Sequence, residues 1–240
     1  MKTNKLSTIL DVLIAGGQQL LFASFTALLL SMTASANNLD NPGQLEQTST
    51  RVLASQLAVG DVIFIRVPIY PFQKVASTTE SWTNHVGIVI DVSGQEPLVG
   101  ESAFPFSKTT PLSRFVARSE AGRVDVSRLN TPLTPQQQDE VRVAAMKRLG
   151  ILYDTGFDLH SRRQFCSRYV YEVLRDATGT QVGDIETFAS LLAHNPKADL
   201  TFWRYWYFGN IPWQRQTITP ASLLRSPKLH TVFDGYAQIT

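Results

Sequence analysis

Two apolar runs, HVGIVIDV (His85–Val92) and EPLVGES (Glu96–Ser102), flank the three residues Ser93-Gly94-Gln95. Strand-forming runs on either side of so short a turn are best joined as an antiparallel hairpin. Its geometry ties distant residues together. With the turn centred near Ser93-Gly94, His85 faces a position between 101 and 104. Glu101 lies an even number of positions from His85, so a direct cross-strand pair would share one face of the sheet.

The neighbouring segments extend this picture. VGDVIFIRV (Val59–Val67) reads as a buried strand opened by a turn at Gly60-Asp61, and RVDVSRL (Arg123–Leu129) as another strand. PIYPFQKVASTTESWTN (Pro68–Asn84) has two prolines and a Ser/Thr cluster, and is expected to be a loop enclosing at most one helical turn. TPQQQDEVRVAAMKRL (Thr134–Leu149) predicts a helix with Thr134 as N-cap and Pro135 at the first helical position. A second helix is predicted from about Gln164 to Asp176, stopping before Gly179. The fold class is therefore α+β, a short antiparallel sheet packed against helices.

The second helix carries Cys166, the only cysteine in the chain, in its first turn. A thiol there feels the positive end of the helix dipole and unpaired N–H groups, which favour thiolate; Arg162 and Arg163 would act in the same sense. Thiolate is the nucleophile of acyl transfer, and first-turn amides can receive an oxyanion. The alternative is a small hydrophobe on the stripe it shares with Val170, Val173 and Leu174.

A nucleophile needs a base, and there are four histidines: His85, His160, His194 and His230. His194 sits at an expected helix end, and His230 has no informative context. His160 lies six positions before the cysteine, within reach of it. His85 opens a strand, which can aim an imidazole rigidly at a helix start, and Gly87 beside it leaves room for close approach. Glu101 would hold the far ring nitrogen and fix the tautomer, with Asp154 of LYDTGFD as the alternative orienter. Tyr70, Phe72 and Trp82, near His85 in sequence, and Tyr153 are the candidate substrate-binding residues.

Composition narrows the classes of function. The formal charge is +2, without a Lys/Arg cluster, which argues against nucleic acid. One cysteine and scattered histidines offer no metal-ligand spacing, and no glycine loop is present to cradle phosphate; neither metal nor cofactor is expected. Lys2 and Lys5 precede an apolar run ending in Ala34-Ser35-Ala36, so residues 1–36 are expected to be a signal peptide or N-terminal anchor. This places the protein in the periplasm or cell envelope, or in the cytoplasm if the start is misassigned. Polar residues 37–56 are expected to be a linker and 57–240 the working domain. Its tail, 185–240, contains FWRYWYFGNIPW (Phe202–Trp213), whose aromatics suit core packing first and a membrane-surface contact second.

Taken in order, VGDVIF, WTNHVGIVI, LVGES, YDTGF and RRQFCSRYVYEVL resemble the circularly permuted papain-like amidases of the YebB/YiiX group, relatives of NlpC-type peptidoglycan peptidases. The tail resembles the YebB branch in particular. Ordinary papain-like enzymes place the cysteine helix before the histidine strand; here histidine and acid precede cysteine. The resemblance implies a permuted papain-like fold with Cys166 as nucleophile, His85 as base and Glu101 as orienting acid. It implies a cysteine hydrolase or acyltransferase acting on an amide, ester or thioester through a thioacyl intermediate. The acyl substrate would be a small molecule, a lipid or a peptide. The alternatives are a peptidoglycan endopeptidase or amidase at the envelope, and a non-catalytic binding module that retains the fold.

Overall fold

The computed structural model describes residues 45–240. The expected signal or anchor, residues 1–36, and the first part of the linker lie outside the described residues. From Leu45 on, the expected linker is ordered. Glu46–Ser49 forms strand β1 and Thr50–Ala54 forms helix α1, whose first turn is capped by Ser49 accepting from the Val52 amide. Leu53, buried on that helix, is what the polar composition concealed.

Strand β2 (Val62–Ile65) is buried along its whole length. The segment expected as a loop instead contains helix α2 (Tyr70–Thr78). Pro71 lies in its first turn, where a missing N–H breaks no helical hydrogen bond, so the proline starts the helix rather than breaking it. The predicted hairpin follows as β3 (His85–Asp91) and β4 (Leu98–Ser102), and a strand absent from the sequence reading, β5 (Ser107–Pro111), adds to its edge. Short helix α3 (Leu112–Val116) leads to β6 (Arg123–Leu129).

Helix α4 (Pro135–Met146) carries a full capping box between Thr134 and Gln137. Helix α5 (Cys166–Thr178) ends at Gly179, whose φ of +73° is the left-handed stop the sequence signalled. The tail then forms the small pair β7 (Glu186–Thr187) and β8 (Gln216–Thr217), with helices α6 (Phe188–His194) and α7 (Leu200–Trp206) between them. Helix α8 (Pro220–Leu224) and strand β9 (Leu229–Gln238) follow.

Among the described residues the main sheet has seven strands in the order β1-β9-β6-β2-β3-β4-β5. It is antiparallel except at one end, where β1 runs parallel to β9. The tail contributes to the main sheet, because β9 sits inside it between β1 and β6. Two cores cover its faces. Val86, Ile88 and Ile90 of β3 pack with α4 and α5, whereas Val89 and Val99 pack with Phe115 and Val116 of α3. A third cluster joins Phe188, Phe202, Trp203 and Ile211 of the tail, the packing use expected of its aromatics. Two tail aromatics face outward, Tyr205 at 83% and Phe208 at 94% exposure. No helix of the described residues is long and apolar enough to cross a membrane.

Candidate active site

The hairpin register sets the site. Ile88 pairs with Gly100 and Val89 with Val99, which, continued along both strands, places Ala103 opposite His85 and Glu101 diagonally across on the same face. The imidazole spans that diagonal, with His85 Nε2 2.6 Å from Glu101 Oε2 and both side chains buried. Glu101 also accepts from Thr110 Oγ1 at 2.5 Å, and Arg118 Nη2 reaches its two oxygens at 2.8 and 2.7 Å. Burial raises the carboxyl pKa, but His85, Arg118 and Thr110 together hold it down at about 2. A carboxylate only accepts, so Nε2 carries the proton between them.

Nδ1 of His85 is left buried without a hydrogen-bond partner. Burial lowers the imidazole pKa, yet the Cys166 thiolate and then Glu101 outweigh it and raise it to about 9. Burial likewise raises the thiol, and His85 with the Val86 and Ser167 amides reverses that, so its pKa falls below the ordinary value. His85 thus stands between a thiol whose pKa is lowered and the Glu101 carboxylate. Arg162 and Arg163, expected to assist, stand exposed and are not the source of this shift.

The expected room beside Gly87 serves a different neighbour. A Cβ there would lie 2.5 Å from Val99 Cγ1 and 2.9 Å from Phe115 Cε2, on the face away from α5. His85 shares this face, its ring 5.7 Å from that of Phe115 and 6.1 Å from Phe72, and reaches Cys166 because it stands at the end of its strand.

The cysteine is placed by its own helix start. Phe165 occupies the N-cap and caps no first-turn amide with its side chain, in contrast to Thr134 and Thr187 on other helices. Just before it, Gln164 ties Cys166 to the strand-like segment 152–154: its amide donates to the Leu152 carbonyl at 2.9 Å and its carbonyl accepts from the Asp154 amide at 2.8 Å. That pairing sets Tyr153 beside the sulfur. Its hydroxyl is buried with no partner, and burial together with the thiolate pushes its pKa well above the usual phenol value.

Not every candidate arrives at this place. Asp154 does not orient His85, because its oxygens accept from the Gly156 and Asp158 amides of its own loop at 3.0 and 2.9 Å. His160 is turned to Gln216 at 2.8 Å, and His230 to Asn130 at 3.2 Å. Trp82 stacks on the Arg123 guanidinium 4.0 Å from its ring centre, and Tyr70 is exposed against Phe202 and Lys74. Phe72 and Tyr153 do line the cavity that opens on Cys166. The sequence reading missed Arg118 and Thr110. Thr110 belongs to the unforeseen β5, and Arg118 follows α3, whose return to the hairpin has no local sequence signal.

The cavity is a slot of about 40 Å³ between α2, the start of α5 and the aromatic tail, room for about three water molecules. Its walls include Phe157, Phe188, Leu191 and Trp203.

Known proteins resemble the chain over most of its length. The chain is 28% identical over 184 residues to the uncharacterized protein YiiX of Escherichia coli K12, a match spanning 77% of this chain and 90% of that protein. A crystal structure described as the metalloprotein yiiX from Escherichia coli O157:H7 aligns with TM-score 0.69 at 29% identity, over 75% of this chain and 99% of the solved one. Residues 56–233 match the family of permuted papain-like amidase enzymes, YaeF/YiiX, C92, and with the helix start, strand end and buried acid arranged in the permuted order, the chain belongs to that family.

Proposed function

We propose that this protein is a thiol hydrolase or acyltransferase that cleaves an amide, ester or thioester through an acyl group carried on Cys166. The supporting observation is the buried row of His85 and Glu101 beside the sulfur at the start of α5, with the imidazolium pKa raised to about 9. In this reading the thiolate attacks the carbonyl carbon, and the oxygen takes the electron pair of the C=O bond. The Tyr153 hydroxyl and the uncapped first-turn amides of α5 donate to that oxygen. The tetrahedral species collapses, the bond to the leaving group breaks, and that group takes the proton from His85. Water or another acceptor then gives a proton back to His85 and attacks the thioester, releasing the acyl product and the thiolate. Glu101 keeps its charge throughout and holds the ring in place.

The related Escherichia coli structure is described as a metalloprotein. Here no group of three or more His, Cys, Asp or Glu among the described residues is placed to hold a metal ion. Both oxygens of Glu101 are engaged by His85, Thr110 and Arg118. This donor set does not fit a metal, and no step above uses one.

The test is intact-protein mass spectrometry after exposure to p-nitrophenyl esters and to iodoacetamide near neutral pH. An acyl or carbamidomethyl adduct on Cys166, absent from folded Cys166→Ala together with its nitrophenol release, is the expected result. Nitrophenol release by Cys166→Ala at the wild-type rate would sink the proposal.

A further inference from the structure

The loop that delivers the chain to Cys166 is held by one guanidinium. Arg168, in the first turn of α5, donates from Nη1 to the carbonyls of Ser161 and Arg163 at 2.7 and 2.9 Å and, at 3.5 Å, to that of Asp158. Its Nε donates to Glu172 Oε1 at 2.8 Å, one turn further along the helix. The other oxygen of Glu172 accepts from Gln164 Nε2 at 3.1 Å and from Arg148 Nε, just beyond α4, at 3.3 Å. Gln164 is itself buried, with its side-chain oxygen accepting from the Ser107 hydroxyl and its carbonyl from the Ser102 hydroxyl. The Arg168 and Glu172 side chains are only 15% and 16% exposed, so this pair is shielded from solvent far more than an ordinary surface ion pair.

We propose that Arg168 is a positioning residue for Cys166, holding the turn from Ser161 to Gln164 so that the first-turn amides of α5 stay open to an oxyanion; this rests on the reading of Cys166 as the acylated residue. Phe165, at the N-cap, puts no side chain on those amides. The Arg163 carbonyl stands four residues before Ser167, the spacing at which a helix winds backward by one turn and consumes a free first-turn N–H. A carbonyl already engaged by Arg168 is kept from that bond. Glu172 carries the same constraint to the other oxyanion donor. It holds Gln164, whose backbone pairs with Leu152 and Asp154, and so fixes the segment that presents Tyr153. A guanidinium suits this task because its planar fork faces a carboxylate on one side and loop carbonyls on another, which the single ammonium of a lysine cannot do.

The test compares two reactions of the same sulfur. Attack on a p-nitrophenyl ester places charge on the carbonyl oxygen, whereas alkylation by iodoacetamide displaces iodide and builds no oxyanion. In full-length Arg168→Gln the nitrophenol burst should slow about 10²-fold. Alkylation of Cys166, followed by intact-protein mass spectrometry, should stay within about twofold of wild type, because it needs only the thiolate. Arg168→Lys is measured beside it so that one folded variant suffices. It keeps a charge next to Glu172 without spanning both carbonyls, and should lose about tenfold in the burst. Near-ultraviolet circular dichroism establishes that each variant is folded. An unchanged burst in a folded variant, or acylation and alkylation falling together, overturns the inference. A wild type whose sulfur takes no acyl group removes the nucleophile reading and this inference with it; that result appears in the unmutated protein, so the two failures are told apart.

Discussion

Arg118 sets a single guanidinium nitrogen between both oxygens of Glu101, at 2.8 and 2.7 Å. This makes the carboxylate a fixed counter-charge for His85 and ties the hairpin to the segment after α3. Arg118→Ala removes the partner of a fully buried charge. We expect a loss of roughly 2–3 kcal/mol in urea unfolding, below the ~3–5 kcal/mol of a fully buried pair because Arg118 is 33% exposed. Arg118→Lys should recover part of it, since a point charge replaces the guanidinium. Equal stability of Arg118→Ala and wild type would show that Glu101 is held by His85 and Thr110 alone.

Glu101 is one of the groups that raise the His85 pKa to about 9. Acyl transfer needs the imidazolium proton for the leaving group, so the rate of Cys166 acylation should fall as pH rises through about 9. Glu101→Gln removes the negative charge and lowers that pKa, which moves the alkaline limb to lower pH. A pH–rate profile with an acyl p-nitroanilide, whose amine must be protonated to leave, reads this directly. An unmoved limb would mean that the imidazole does not depend on Glu101 for its charge.

The same carboxylate makes stability depend on acid. Its pKa is about 2 in the folded protein, against a usual value of 4.5. A depressed carboxyl contributes stability that is fully present above pH 4.5 and is lost as pH falls toward 2. The contribution is about 3 kcal/mol. Urea unfolding at pH 7 and pH 3 should therefore show a steeper loss for wild type than for Glu101→Gln.

Tyr153→Phe separates catalysis from folding. The hydroxyl has no partner in the structure, so removing it should leave stability unchanged or slightly higher. As a donor to the developing oxyanion, it should cost about 10²-fold in kcat with little change in KM. A KM effect without a kcat effect would make Tyr153 a contact to the bound substrate only.

The parts of the fold legible in the sequence were those with strong local signals. The β3–β4 hairpin followed from its turn, α4 from Thr134-Pro135, and the end of α5 from Gly179. His85, Glu101 and Cys166 could be linked because hairpin pairing relates two of them by arithmetic and a helix start marks the third. What was hidden depends on contacts between distant segments. β1 and β9 pair with each other although 37–56 is polar and the inward positions of β9, Phe233, Gly235 and Ala237, make only a weak alternation. Arg118 and Thr110 come to Glu101 through a strand edge and a helix end that no local pattern announces. Pro71 misled because the same residue that ends helices also begins them.

The position of β9 has a consequence for how the sheet is completed. β3, β4 and α5, which carry His85, Glu101 and Cys166, are all synthesised before the strand that joins β1 to β6. Until β9 is made, β1 and β6 each present an open backbone edge, the template on which other chains add. Shortening the protein before Leu229 would leave it in that half-closed state, so its solubility, more than its chemistry, is the first property such a truncation should lose.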